Sequence, residues 1–102
     1  MARRPEIPIS SDPERALHVA DVLKAVAHPL RLRIVAMLCE REETVTGLSE
    51  RLGVGQAIVS QQLRILRSNG LVAADRAGGF ARDRLVEQNL RGLVKCMEGC
   101  KR

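Results

Sequence analysis

The chain has almost no aromatic side chains: one Phe and no Tyr or Trp in 102 residues. That scarcity argues against a binder of single-stranded nucleic acid, whose bases stack on aromatic faces. It also means that the core, within a hydrophobic content of 45%, must be built from Leu, Val, Ile and Ala, which suits packed helices. No apolar run approaches the ~18 residues a membrane span needs, and the opening MARRPEIPISSDPER lacks the apolar segment of a secretory signal. The expected location is the cytoplasm, with no membrane partner. Cys39, Cys96 and Cys100 are the only cysteines, an odd number without the spacing of a disulfide scaffold, as befits a compartment where thiols stay reduced. A phosphate-cradling glycine loop, a Ser-His-Asp or Cys-His set and an acid pair in apolar surroundings are all missing, so no enzyme is expected.

What is present points to one helical domain with a polyanionic partner. A chain of 102 residues fits one domain near the lower end of sizes that close a core unaided. Burying a helix face against a second copy would add to such a core. The net charge of +5 favours phosphates, because each Lys or Arg placed on one releases condensed counterions. Residues 1–12, with Pro5, Pro8 and Ser10-Ser11-Asp12, are expected to form a flexible arm, and residues 13–102 the domain.

Asp12-Pro13-Glu14 reads as a helix start, with an acid N-cap and proline in the first position. Ala16, Ala20, Leu23 and Ala27 then recur at helical spacing to about Val26. His28-Pro29 predicts a break and a second helix to about Cys39, with Leu30, Ile34, Met37 and Leu38 inward and Arg31 and Arg33 outward. Thr44-Val45-Thr46 reads as a short β-like link, with Thr46 capping a third helix that Gly53 stops.

The fourth helix buries Val59, Leu63 and Leu66 and turns a polar half (Gln56, Ser60, Gln61, Gln62) elsewhere. A short helix, a glycine-marked turn and a polar second helix are the grammar of a helix-turn-helix. Leu71 to Ala77 and Phe80 to Val86, joined by Gly78-Gly79, predict a hairpin carrying Arg76, Arg82 and Arg84. A hairpin directly after a recognition helix is a wing, able to lie along DNA backbone or minor groove. A fifth helix, about Gln88 to Gly99, carries Leu90, Leu93, Val94 and Met97 on one stripe. The expected fold is mainly α with a small β-hairpin wing: a winged helix-turn-helix of five helices.

Three segments in order carry a family resemblance. Ala27-His28-Pro29-Leu30-Arg31-Leu32-Arg33-Ile34 fits the pattern A-(D/N/H)-P-x-R-L-R-I. Residues Leu52 to Leu63, LGVGQAIVSQQL, fit L-G-L-S-Q-S-x-V-S-x-H-L, and Leu66 to Val72, LRSNGLV, fits L-R-x-A-G-L-V. On these segments the chain resembles the ArsR/SmtB family of winged-helix repressors over nearly its whole length. The resemblance implies a homodimer through the first and last helices, and a double-stranded operator with an inverted repeat. The two recognition helices would enter successive major grooves about one turn (~34 Å) apart. The chain departs from the family's metal-sensing members at Thr44 and Thr46, where many hold Cys-x-Cys, and its last helix has no histidine. Ala81-Arg82-Asp83-Arg84-Leu85 replaces the V-Y-Y-R-L run usual in the second wing strand.

Gln56 and Gln61 could pair with adenine edges, Ser60 with a base edge or phosphate, and Ala57 could touch a thymine methyl. Arg64, Arg67, Arg76 and Arg82 read as phosphate contacts. A solvated polar helix face is the bland alternative for the first set, and surface charge for the second. His18 and His28 read as surface or capping residues rather than ligands. Cys96 and Cys100, at i and i+4, would share one helix face and could chelate a thiophilic ion such as As(III). A disulfide between them is disfavoured, because Cβ atoms ~5–6 Å apart exceed the ~3.8 Å that a disulfide wants.

The resemblance implies that Cys39 with Cys96 or Cys100 could sense persulfide or oxidant, although relatives place the second-helix cysteine where this chain has Ala36. No cofactor is required. The sequence-level reading is a DNA-binding repressor whose operator binding is released by thiol chemistry or soft metalloid at Cys39, Cys96 and Cys100. The alternatives are a regulator of the same kind without small-molecule input, or a winged-helix module that binds protein.

Overall fold

In the computed structural model, which describes residues 7–100, the elements run α1 Pro13–Val26, α2 Pro29–Glu40, α3 Val45–Leu52, α4 Gln56–Ser68, β1 Val72–Asp75, β2 Arg82–Leu85 and α5 Leu90–Glu98. Of the expected arm, residues 1–6 lie outside the described residues, and Ile9–Ser11 form a 3-10 turn. No described helix is long and apolar enough to cross a membrane.

Local chemistry sets the first two helices. The Asp12 carboxylate accepts from the Arg15 backbone N–H at 3.1 Å, with Pro13 in the first turn. His28 caps α2 through Nδ1, which accepts from the Leu30 N–H at 3.1 Å and from the Arg31 N–H at 3.5 Å. The third helix starts earlier than the sequence predicts. Thr44, not Thr46, is its N-cap, with the hydroxyl oxygen accepting from the Gly47 N–H at 3.0 Å. Val45 is therefore helical, and it packs against the core. Its β-branched preference for extended chain yields to that burial and to the cap. The strand-like contact falls at Glu43 instead, which exchanges backbone hydrogen bonds of 3.1 and 2.8 Å with Asp83. Gly53 ends α3 at φ +69, and a Cβ there would meet nothing within 4 Å, so the left-handed backbone and not close packing calls for glycine.

One core joins the helices. Ile34 and Leu38 of α2, Leu48 of α3, Val59, Leu63 and Leu66 of α4 and the following Leu71 are at most 2% exposed. Val35, Met37, Leu52, Val72, Leu85, Leu90, Val94, Ala25 and Val26 complete it. The predicted face of α4 is thus the buried one. The predicted stripe of α1 is not: Ala25 and Val26 are buried and Val22 packs beside them, while Leu23 is 45% exposed and Ala27 is exposed. Spacing identifies a stripe but does not say which stretch of a helix has a neighbour, and here the last turns meet the core. Arg31 is also not outward. Its guanidinium donates to the Ala25 carbonyl and, at 2.9 Å, to Gln62 Oε1, tying α2 to α1 and α4.

The hairpin pairs Val72 with Leu85 through Asp75 with Arg82, a register centred on Gly78 and Gly79 as a two-residue turn requires. The ladder stops there, short of the predicted strands. The Asp75 carboxylate accepts from the Ala77 N–H at 3.0 Å, an Asx turn that takes the backbone out of pairing. Gly78 and Gly79 carry φ of 75 and 82, a region costly for other residues.

Candidate nucleic-acid interface

The reading helix is held from three sides. Its buried residues, Val59, Leu63 and Leu66, are all 0% exposed. The turn before it is fixed by the Ser49 hydroxyl, which donates to the Val54 carbonyl, and its flank by the Arg31–Gln62 bond. Opposite the core, Gln56, Ala57, Gln61 and Arg64 are exposed and Ser60 is half-buried. The predicted contact residues therefore lie together on one rigid face, with Arg76 and Arg82 exposed on the adjoining hairpin. Gln62 leaves the polar set, because its side-chain carbonyl is held by Arg31.

Arg67 leaves the phosphate set. Its Nε and Nη2 each lie 2.8 Å from one oxygen of Asp83, which is 0% exposed. The hydrogen bond to Asp83 raises the guanidinium above its ordinary range, so Arg67 stays cationic as a fixed counter-charge. It clamps the hairpin to the end of α4. The signal was present in β2: exposed Arg82 and Arg84 alternate with buried Asp83 and Leu85, and an acid on the inward face needs a cationic partner. Two exposed apolar residues also escaped the sequence reading, Ile58 at 47% in the first turn of α4 and Phe80 at 70% on the hairpin.

Cys39 is half-buried, and Cys96 and Cys100 are exposed. Burial pushes the Cys39 thiol up from its ordinary value, against the pull of Arg91, while Glu98 and Glu40 add to the rise. Cys100 lies beyond the end of α5 at Glu98, where its N–H donates to the Met97 carbonyl at 2.9 Å in a tightened turn. Among the described residues no three His, Cys, Asp or Glu side chains are placed to hold a metal ion, and Thr44 is occupied as a helix cap.

A glycine-turned helix pair whose second member shows Gln, Ala, Ser and Arg to solvent, followed by an arginine-bearing hairpin, defines a winged helix-turn-helix. Residues 28–74 match the bacterial regulatory protein family known as arsR. The biofilm growth-associated repressor of Xylella fastidiosa (strain 9a5c) is 37% identical over 94 residues, which cover 92% of this chain and 82% of that protein. The chain belongs to the arsR family of bacterial regulatory proteins, a family of regulators and not of enzymes. The crystal structure of the transcriptional repressor BigR from Xylella fastidiosa superposes with a TM-score of 0.82 at 35% identity, covering 94% of this chain and all of that one (100%). The homodimeric winged helix-turn-helix domain of Mb0332 from Mycobacterium bovis gives a TM-score of 0.73 at 30% identity, covering 96% of this chain and 87% of that one.

Proposed function

We infer that this chain is a transcriptional repressor that binds operator DNA as a homodimer. The observation that carries the reading is the exposed face of α4, with Gln56, Ala57, Ser60, Gln61 and Arg64 held against a fully buried core beside the wing. Phosphate contacts from Arg64, Arg76 and Arg82 position the dimer, and α4 reads base edges in the major groove. Occupying a promoter in this way excludes polymerase, and such a protein works in the cytoplasm. The repressor relatives in Xylella and the homodimeric relative in Mycobacterium support this reading. So do the exposed Leu17 and Leu23 on α1 and Met97 on α5, apolar groups that a dimer through the first and last helices would cover.

Gln61→Ala and Arg76→Ala separate the two kinds of contact. Gln61→Ala is expected to relax base preference, costing about 1–3 kcal/mol at the preferred base of each half-site. Arg76→Ala is expected to weaken all sequences alike. Competition between matched and mismatched duplexes measures both. Equal losses across all sequences from Gln61→Ala would remove it from base readout.

Release of the operator through Cys39, Cys96 and Cys100 is the finer part of the proposal, supported by the exposure of Cys96 and Cys100. These two thiols are expected to react first, and Cys39 last, because burial holds it protonated. Polysulfide, oxidant or arsenite should free parent protein from DNA and leave a triple Cys→Ser variant bound. Equal release of both proteins removes the cysteines from the mechanism and leaves a repressor without thiol input.

A further inference from the structure

We propose that Phe80 is an apolar wedge that enters the minor groove beside the reading helix and opens a base step of the bound duplex. The proposal rests on the DNA-binding reading above and adds a contact that the predicted set does not contain. Phe80 is the only aromatic residue of the chain. At 70% it is also the most exposed large apolar side chain among the described residues. Leu17, Leu23 and Met97 lie on the α1 and α5 faces that a second copy would cover. Phe80 lies elsewhere, beyond the last paired residues of the hairpin, Asp75 and Arg82.

The hairpin does not need Phe80 for its own packing. Val72 and Leu85 are the strand residues buried in the core, and the strands pack on α4 and α2. The tip stands open: a Cβ added to Gly78 or Gly79 would meet nothing within 4 Å. Those left-handed glycines turn the chain, and Phe80 follows them in extended conformation at φ −116, ψ 134.

The surroundings favour a nucleic-acid groove over a protein surface. Arg76 and Arg82 are exposed around the tip and Arg84 is exposed further down the same strand, while the acid at the tip, Asp75, is turned onto the Ala77 N–H. A protein docking patch needs contiguous apolar area, whereas the exposed neighbours of Phe80 in sequence are Gly79 and Ala81. A base step needs only one bulky apolar group, with cations on the phosphates at either side. With α4 in the major groove, a wing meets the adjoining minor groove. Pyrimidine–purine steps such as TA or CA open most cheaply, so they should be enriched in bound sequences at the wing positions.

The test uses a duplex recovered from a random-sequence pool by the parent protein, with dyes at its ends to report bending by energy transfer. Phe80→Ala is expected to bind roughly tenfold more weakly and to lose the bend, with unchanged helicity and oligomeric state. Phe80→Leu, which keeps apolar bulk, should retain the bend. Phe80→Trp places a single indole in a chain that has no Trp, and its emission should be quenched as the duplex saturates. If Phe80→Ala binds and bends the duplex as the parent does, or the indole emission is unmoved at saturation, the wedge is overturned while the DNA reading stands. If the parent recovers no duplex at all, the DNA reading falls and the wedge with it.

Discussion

Asp83→Ala is expected to be the most damaging single change in the wing, lowering stability by about 3 kcal/mol. Asp83 is wholly buried, and both of its carboxylate oxygens are taken by Arg67 at 2.8 Å. Removing it leaves a guanidinium aimed at an empty site, which costs far more than the net worth of the pair. The Arg67 side chain keeps 35% of its exposure, so water relieves part of that loss, and the lower end of the usual range applies. Against a total of roughly 5–15 kcal/mol for a domain of this size, the melting temperature should fall by roughly 15 °C. Asp83→Asn keeps one carbonyl acceptor and the same shape, so it should lose less. Thermal unfolding followed by circular dichroism orders the three proteins, and equal melting of parent and Asp83→Ala would show that the pair does not anchor the wing. The pair raises the Arg67 guanidinium above its ordinary value. Its contribution therefore persists through neutral and mildly alkaline pH and is lost only where arginine itself would give up its proton.

The second large effect concerns salt. A dimer that places Arg64, Arg76 and Arg82 of each protomer on phosphates neutralises about six, giving a slope of about −5 in log affinity against log salt. Raising salt from about 50 to about 200 mM should then weaken binding roughly a thousandfold. The slope also tests the reassignment of Arg67. Were that residue a phosphate contact as well, about eight phosphates would be neutralised and the slope would steepen to about −7. Anisotropy of a labelled duplex across a salt series gives the number directly.

The features legible in the sequence are those that local rules decide. Asp12 and His28 cap the helices beside them, because an acceptor just before a proline-started helix has backbone N–H groups within reach. Val59, Leu63 and Leu66 are buried as their spacing requires, and Gly78-Gly79 fixes the hairpin register even though pairing stops early. What the sequence left hidden depends on how separate elements meet. Arg67 and Asp83 stand 16 residues apart, and only the docking of the wing on α4 makes Arg67 a counter-charge and not a free cation. Arg31 looked outward because its helix position is exposed in isolation, yet its long side chain crosses to Gln62. Thr44 and Thr46 are equivalent caps by type, and only the fold shows that the chain is extended through Thr44, whose hydroxyl accepts from the Gly47 N–H.

Two copies of α4 are expected to read DNA together, and selection of bound duplexes from a random pool by the parent protein shows whether they do. The recovered sequences should contain an imperfect inverted repeat with half-site centres about one helical turn (~34 Å) apart. Inserting about five base pairs between the halves, which turns them to opposite faces of the duplex, should abolish tight binding. Recovery of no common sequence, or of a single half-site bound as tightly as the repeat, would contradict the claim.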